Sequence, residues 1–358
     1  MASSPRLKGA VLTAALLVAL EAAALGQPPE CSEPLKEVFR SESGAHSFDS
    51  VAVISPDDVW FTGEAVGLKD AYFLHWDGHG WAEETPEFTH PSGNIRALSA
   101  AFPDEVWAVG STGCCPARHV VLHRDGANWS VVETPEAGRT STLSDVVALE
   151  DGTVVAVGGY RPRHAKGMRP LVLRFDGTSW VRDNAGVRGA RTVFTDVDGS
   201  SLDALWAVPL EGPSVFARGP DGWSRIEMAR PNDSLEDVAT TPEGSAWFVG
   251  EAGGRRRLPV VTSYGAEGWD RFQVPDRRYA EYLYSVAALS DEEVTVAGLR
   301  IYGDHAYPYA ARMTETGFSY VPADDPGWMA FWDIELDENG RLWAGGEGPD
   351  MAIIQRAC

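Results

Sequence analysis

The chain has 358 residues, 44% of them hydrophobic, enough to bury a large core as one big β domain or two ordinary ones. Its 52 acidic against 30 basic residues leave a net charge of −22, which sets nucleic acid aside as a partner for the surface as a whole and favours solubility. The first element in chain order is a leader. "MASSPRLKGAVLTAALLVALEAAALGQ" places Arg6 and Lys8 before an apolar run from Gly9 to Leu20 and closes on small residues. That is the pattern of a secretory signal, with a cleavage site at Ala24-Leu25-Gly26. Residues 1–26 are read as the signal and 27–358 as the mature, secreted (extracellular or periplasmic) protein. An uncleaved membrane anchor is the alternative, although the apolar run is short for a span and Glu21 interrupts it. Cys31 lacks the small apolar residues of a lipoprotein box before it, and no later segment reads as membrane-crossing. The signal carries a net +1, so its removal leaves −23.

Next comes "PLKEVFR", an alternating strand, and then a repeat. Seven segments align: "DVWFTGEAV", "EVWAVGSTG", "TVVAVGGYR", "ALWAVPLEG", "SAWFVGEAG", "EVTVAGLRI" and "RLWAGGEGP". Their equivalent residues are Trp60, Trp107, Val155, Trp206, Trp247, Thr295 and Trp343, at spacings of 47, 48, 51, 41, 48 and 48. All but the last are followed by an apolar strand and a turn ending in an aromatic, as in "FLHWDGHGW" or "LVLRFDGTSW". Each unit reads as four short antiparallel strands joined by Pro-Asp, Asp-Gly or Asn-Gly hairpins. The fold class this predicts is all-β, a single seven-bladed β-propeller over residues 27–358 with four-stranded antiparallel blades. The tryptophans supply the faces on which blades pack. A sandwich or solenoid has similar strands, but seven units at one period suit radial closure better.

The turns Asp125-Gly126…Trp129 and Asp176-Gly177…Trp180 match the second half of an Asp box. On these residues the chain resembles the secreted bacterial seven-bladed propellers of the Asp-box and kelch-like kind, from about residue 31 to 358. The leading serine of the Asp box and the double glycine of most kelch repeats are missing. The resemblance implies a fold and not an activity.

The last unit ends after its third strand, at "MAIIQRAC". The economical reading is that "PLKEVFR" supplies the missing fourth strand and closes the ring. Cys31 and Cys358 then stand where other blades have a covalent turn, and a disulfide between them would close nearly the whole chain, worth roughly 5 kcal/mol in the chain-entropy model. Cys114 and Cys115 remain, either as a strained vicinal disulfide or as two thiols. Vicinal disulfides also occur in quinone-dependent propeller dehydrogenases, but the Trp-docking repeats of that family are absent, and no cofactor is expected.

Strand order sorts the loops. Links between blades and between second and third strands share one face, here the top, where ligands of propellers generally sit; the other turns share an acidic bottom. Half of the basic residues fall on the top. "GGYRPRHAKGMRP" holds Arg161, Arg163, His164, Lys166 and Arg169, and "GEAGGRRRLP" holds Arg255, Arg256 and Arg257. Arginine matches carboxylate, sulfate and phosphate in pairs of hydrogen bonds, so these residues are candidate anion ligands; solvation or pairing with nearby acids is the plainer role. "GLRIYGDHAYPYA" adds Tyr302, His305 and Tyr307, and the link before this blade adds Tyr279, Tyr282 and Tyr284, which suit sugar stacking or acid–base work, or simply pack a long loop. The first-strand column Ser50, Ala97, Asp145, Asp196, Asp237, Ser285 and Asp333 could bind a cation in the channel, but is expected to bond the backbone of the next blade. No zinc spacing, EF-hand loop, nucleophile elbow or phosphate loop is present, so no metal site and no catalytic residue are assigned. The expected function is a secreted, monomeric binding or scaffold propeller for an acidic glycan or a protein partner. The alternative is an enzyme on acidic polysaccharide, a lyase or a sialidase-like hydrolase.

Overall fold

The computed structural model describes residues 34–41, 47–64, 71–84, 86, 94–113, 116–126, 128–164, 166–187, 190–253, 258–275, 280–323, 330–348 and 351–357. The proposed signal, all four cysteines and Arg255, Arg256, Arg257 and Tyr279 lie outside them. The described residues form seven four-stranded antiparallel sheets with no helix. Six sheets are consecutive in sequence, over residues 50–83, 94–131, 140–182, 194–227, 234–272 and 280–320. We number these blades 1 to 6. Blade 7 takes three strands from 330–357 and its outermost strand, Lys36–Arg40, from the other end of the chain. Each innermost strand touches the next, and Ala330–Leu336 of blade 7 returns to Ser50–Ser55 of blade 1, so the ring closes. The N-terminal strand therefore completes the last blade, with Lys36 opposite Arg356 and Arg40 opposite Ile353. Leu35, just ahead of it, is fully buried against blade 6 residues Ala297 and Ala310.

Aromatic packing joins the blades. In the second strands Trp60 stacks on His75 at 4.0 Å and Trp107 on His123 at 3.9 Å, each across one sheet. The outermost-strand tryptophan of the following blade covers the pair: Trp129 lies 5.9 Å from Trp60, and Trp180 5.5 Å from Trp107. Trp81 of blade 1 does the same over Trp343 of blade 7, at 6.3 Å. Each such ring buries roughly 150–250 Å², so the repeated tryptophans seal the seams between blades. The turn aspartates have a local task. Asp77 Oδ1 accepts from the backbone N–H of His79 and Gly80, and Asp176 Oδ1 from those of Thr178 and Ser179. Gly78 and Gly177, at φ of 82° and 90°, then take the left-handed step of each turn.

The glycine that closes most repeat segments has a steric cause. In six innermost strands a β-bulge precedes the column residue, between Ile95 and Ala97, Leu143 and Asp145, Phe194 and Asp196, Leu235 and Asp237, Leu283 and Ser285, and Phe331 and Asp333. The bulge presses the innermost strand onto the second one. A Cβ on Gly110 would lie 2.0 Å from the Asn94 carbonyl oxygen, on Gly250 2.1 Å from that of Ser234, and on Gly298 1.9 Å from that of Tyr282. Replacement of Gly298 by Ala is expected to cost about 1–3 kcal/mol in urea unfolding, since backbone must shift to admit the methyl group. The Gly80→Ala protein, whose new Cβ meets nothing within 4 Å, should unfold close to wild type. Equal unfolding midpoints for the two proteins would contradict the packing described.

Candidate functional site

The innermost strands leave one backbone edge unpaired, facing the axis, and a buried N–H needs an acceptor. The column residues provide it. Ser50 Oγ accepts from Leu98 N–H of the next blade at 3.2 Å, Asp145 Oδ2 from Val197 at 2.8 Å, and Asp196 Oδ2 from Val238 at 2.9 Å. Asp237 Oδ2 accepts from Val286 at 2.7 Å, Ser285 Oγ from Ile334 at 3.2 Å, and Asp333 Oδ2 from Val51 at 2.8 Å, across the closing seam. The column thus binds the next blade, as expected from the sequence. Ala97 has no polar atom to offer, and the ring is interrupted there. Two residues further along, Ser99, Asp198 and Glu335 repeat the pattern to Ala148, Thr240 and Val53. Among the described residues no group of His, Cys, Asp or Glu is arranged to hold a metal ion.

The strands surround a cavity of about 600 Å³ lined by Asp145, Asp198, Asp237, Asp333 and Glu335 among others. The carboxyl of Asp196 reaches both Asp145 and Asp237. Asp237 in turn reaches Ser285, whose hydroxyl donates to Asp333 at 2.8 Å. A continuous polar arc therefore runs through blades 3 to 7. Burial comes first among the causes that push these groups up: Asp145 and Asp333 to about 7, Asp237 to about 6, and Asp196 well above the carboxylate range, where its two carboxyl neighbours add to the effect. Each retains an edge on the channel, so channel water tempers the penalty.

The channel mouth is built by the bulges. Their residues are Arg96, Ser144, Thr195, Glu236, Tyr284 and Trp332, with Asp49 in the equivalent place ahead of Ser50. The second strands end beside them with Glu64, Glu251 and Glu347 on blades 1, 5 and 7. Among the described residues, this end of blades 5, 6, 7 and 1 gathers Glu236, Glu251, Glu347, Asp49 and Glu64 beside Tyr284 and Trp332, with Arg96 the neighbouring cation. The sequence reading placed the arginines and Tyr284 on the top face, Tyr284 in a link where the structure has the strand Ala280–Ala288, and missed Trp332 and the carboxylates beside it, because a bulge changes which side chains meet the axis. The only sequence signal for Trp332 was its place just before a column position.

Those of the singled-out basic residues that the structure describes stand on the rim. Val154–Arg161 and Arg169–Phe175 form a hairpin of blade 3 with Arg161, Arg163, His164 and Lys166 exposed at its tip. Arg163 pairs with Glu136 at 3.4 Å, and Arg169, half-buried, donates to the Met168 carbonyl at 3.1 Å. On blade 6, Val294–Tyr302 and His305–Thr314 form a longer hairpin. Tyr302, 61% exposed, and His305 occupy its tip, and Tyr307 lies parallel to His305 at 6.4 Å.

No protein-family model matches the chain, and no curated protein matches it. Solved structures do match along most of its length. YCF48 bound to a D1 peptide is 16% identical over 92% of this chain and 98% of its own, with a TM-score of 0.63. Virginiamycin B lyase from Staphylococcus aureus is 13% identical over 90% and 99%, with a TM-score of 0.65. The WD40 propeller domain of Doa1 is 10% identical over 90% and 97%, with a TM-score of 0.62. At these identities the likeness is one of fold, and it defines the chain as a seven-bladed β-propeller. The same architecture is a peptide-bound protein in one neighbour and a lyase in another.

The carboxyl arc makes stability depend on pH. A carboxyl whose folded value lies above its unfolded value of about 4 contributes stability that is fully present below that value. This contribution is lost as pH rises through the folded values near 6 and 7. Asparagine at position 196 mimics the protonated acid at every pH. Asp196→Asn should therefore be more favourable relative to wild type at pH 8 than at pH 4.5, by about 1–2 kcal/mol in urea unfolding. An effect that is the same at both pH values would mean that Asp196 does not share in the titration.

Proposed function

We propose that the chain is a secreted binding propeller whose rim recognises an anionic ligand, an acidic glycan in the first place. The carrying observation is the blade 3 hairpin, which holds Arg161, Arg163, His164 and Lys166 exposed on a two-stranded support. A strand-backed tip keeps its guanidinium groups at fixed spacing, which suits paired hydrogen bonds to carboxylate or sulfate. Arg255, Arg256 and Arg257 are assigned to the same surface from the sequence, with Arg169 at the base of the hairpin. Tyr302, His305 and Tyr307 on the blade 6 hairpin provide flat faces for a sugar ring. An enzyme on acidic polysaccharide is the second reading, favoured by the His305–Tyr307 ring pair, which would serve as its acid and base.

The experiment is retention of the mature protein on acidic polysaccharides at rising salt, with the polysaccharide chain length measured afterwards. Salt-sensitive retention of intact chains is expected, and the Arg161→Glu, Arg256→Glu double variant should lose about tenfold or more in affinity while unfolding normally. Unchanged retention of that variant would refute the rim reading, and shortened chains would replace it with the enzyme reading.

The proposal includes cleavage of residues 1–26 and a disulfide between Cys31 and Cys358. Supporting the bond, Lys36 stands opposite Arg356, so the strand that begins five residues after Cys31 in sequence lies beside the strand that ends one residue before Cys358. Peptide mapping without reduction should recover Cys31 linked to Cys358; a C-terminal peptide carrying a free thiol would overturn it.

A further inference from the structure

Blades 5, 6, 7 and 1 bring Glu236, Tyr284, Trp332 and Asp49 to one arc of the channel mouth. A bulge takes its residue out of the strand's alternation and re-aims the side chain. The rings of Tyr284 and Trp332 are thereby brought together, 4.8 Å apart and tilted by 33°. The indole Nε1 of Trp332 is shut off from water with no acceptor among the described residues. Glu347 joins the arc from the second strand of blade 7. Next to it, Phe48 N–H donates to the Gly346 carbonyl at 3.3 Å and Asp49 N–H to the Thr62 carbonyl at 2.8 Å, which seats Asp49 on the blade 7 side of blade 1.

The electrostatics agree with this placement. Burial, then Tyr282, Glu236, Glu251 and Glu347, push the Tyr284 hydroxyl up. Burial above all, with Glu64 and Glu347, pushes the Asp49 carboxyl up, against a hydrogen bond from Ser47 and the weaker pull of Arg96. Tyr284 thus sits in the negative field of these carboxylates, and its ring with that of Trp332 lies where a positive guest is favoured.

We propose that this arc binds an organic cation, an alkylammonium group lying against Tyr284 and Trp332 with the carboxylates of Glu347 and Asp49 beside it. Ring faces attract ammonium through their quadrupole, and carboxylates accept its N–H groups in charge-assisted hydrogen bonds. A bare metal ion fits less well, because the rings offer it no ligand. The ammonium group belongs to a free polyamine or to a lysine side chain of a peptide, and the two sources are separated below. The site uses none of the rim arginines, so it stands independently of the anion reading.

The test is calorimetric titration of the mature protein with spermidine, with blocked tri-lysine, with an uncharged tripeptide and with Mg²⁺. One or both ammonium probes should bind with a salt-sensitive Kd, while the uncharged peptide and Mg²⁺ do not. Glu347→Gln should weaken binding about tenfold. Trp332→Leu should weaken it as well, a result that charge alone does not predict. The Trp332 indole N–H resonance of the unmodified protein should move during the titration, which keeps the test sound if Trp332→Leu misfolds. Spermidine binding as tightly as tri-lysine assigns the site to free amines, and tri-lysine binding alone assigns it to peptides. No heat with either probe at millimolar concentration, Mg²⁺ competing equally, or a Kd indifferent to Glu347→Gln would each overturn the proposal.

Discussion

The structure depends on how the unpaired inner edges of seven strands are satisfied. Each innermost strand presents backbone N–H groups to the axis, where no further strand can fit. Side chains of the preceding blade meet this need, from Ser50 to Leu98 at one end of the chain to Asp333 and Val51 across the closing seam. One set of hydrogen bonds thereby satisfies the edges, spaces the blades and joins the last blade to the first. The tryptophans act further out, where the gaps between blades widen and only large rings can fill them.

That solution has electrostatic consequences. A short acceptor must reach across to the next strand, and aspartate is used at four positions of the column. Six carboxyls counted with Asp198 and Glu335 are brought around one cavity, and burial raises them toward neutrality. The carboxyls of Asp145, Asp196 and Asp237 reach one another, and burial pushes all three up. The acidity of this protein is thus not confined to its solvated turns.

The bulges link the ring to the mouth. The extra residue before six of the seven column positions leaves the ladder, and the strand bends against a second strand that carries glycine there in most blades, with Pro209 in that place on blade 4. Tyr284 and Trp332 meet only because two adjacent bulges place them in neighbouring blades at the same height. Their separation in sequence, 48 residues, matches the repeat but says nothing about which way either ring points.

Blade number, strand order, hairpin chemistry and the closing role of "PLKEVFR" were all legible in the sequence, because period, alternation and Asp-Gly turns are local properties that repeat. The blade-to-blade role of the aspartate column was legible as well, from its equivalent position in successive first strands. The reason for the repeat glycine, the carboxyl arc and the acidic aromatic mouth were not. The glycine depends on a close approach within one sheet, between residues 16 apart such as Tyr282 and Gly298, the other two on contacts between residues roughly one repeat apart, and the glycine and the mouth on bulges that no residue type announces. Arginines on long hairpins are visible to composition, and their place on the rim follows from hairpin length; which side chains face the axis is decided only when seven sheets converge and their inner edges must find acceptors.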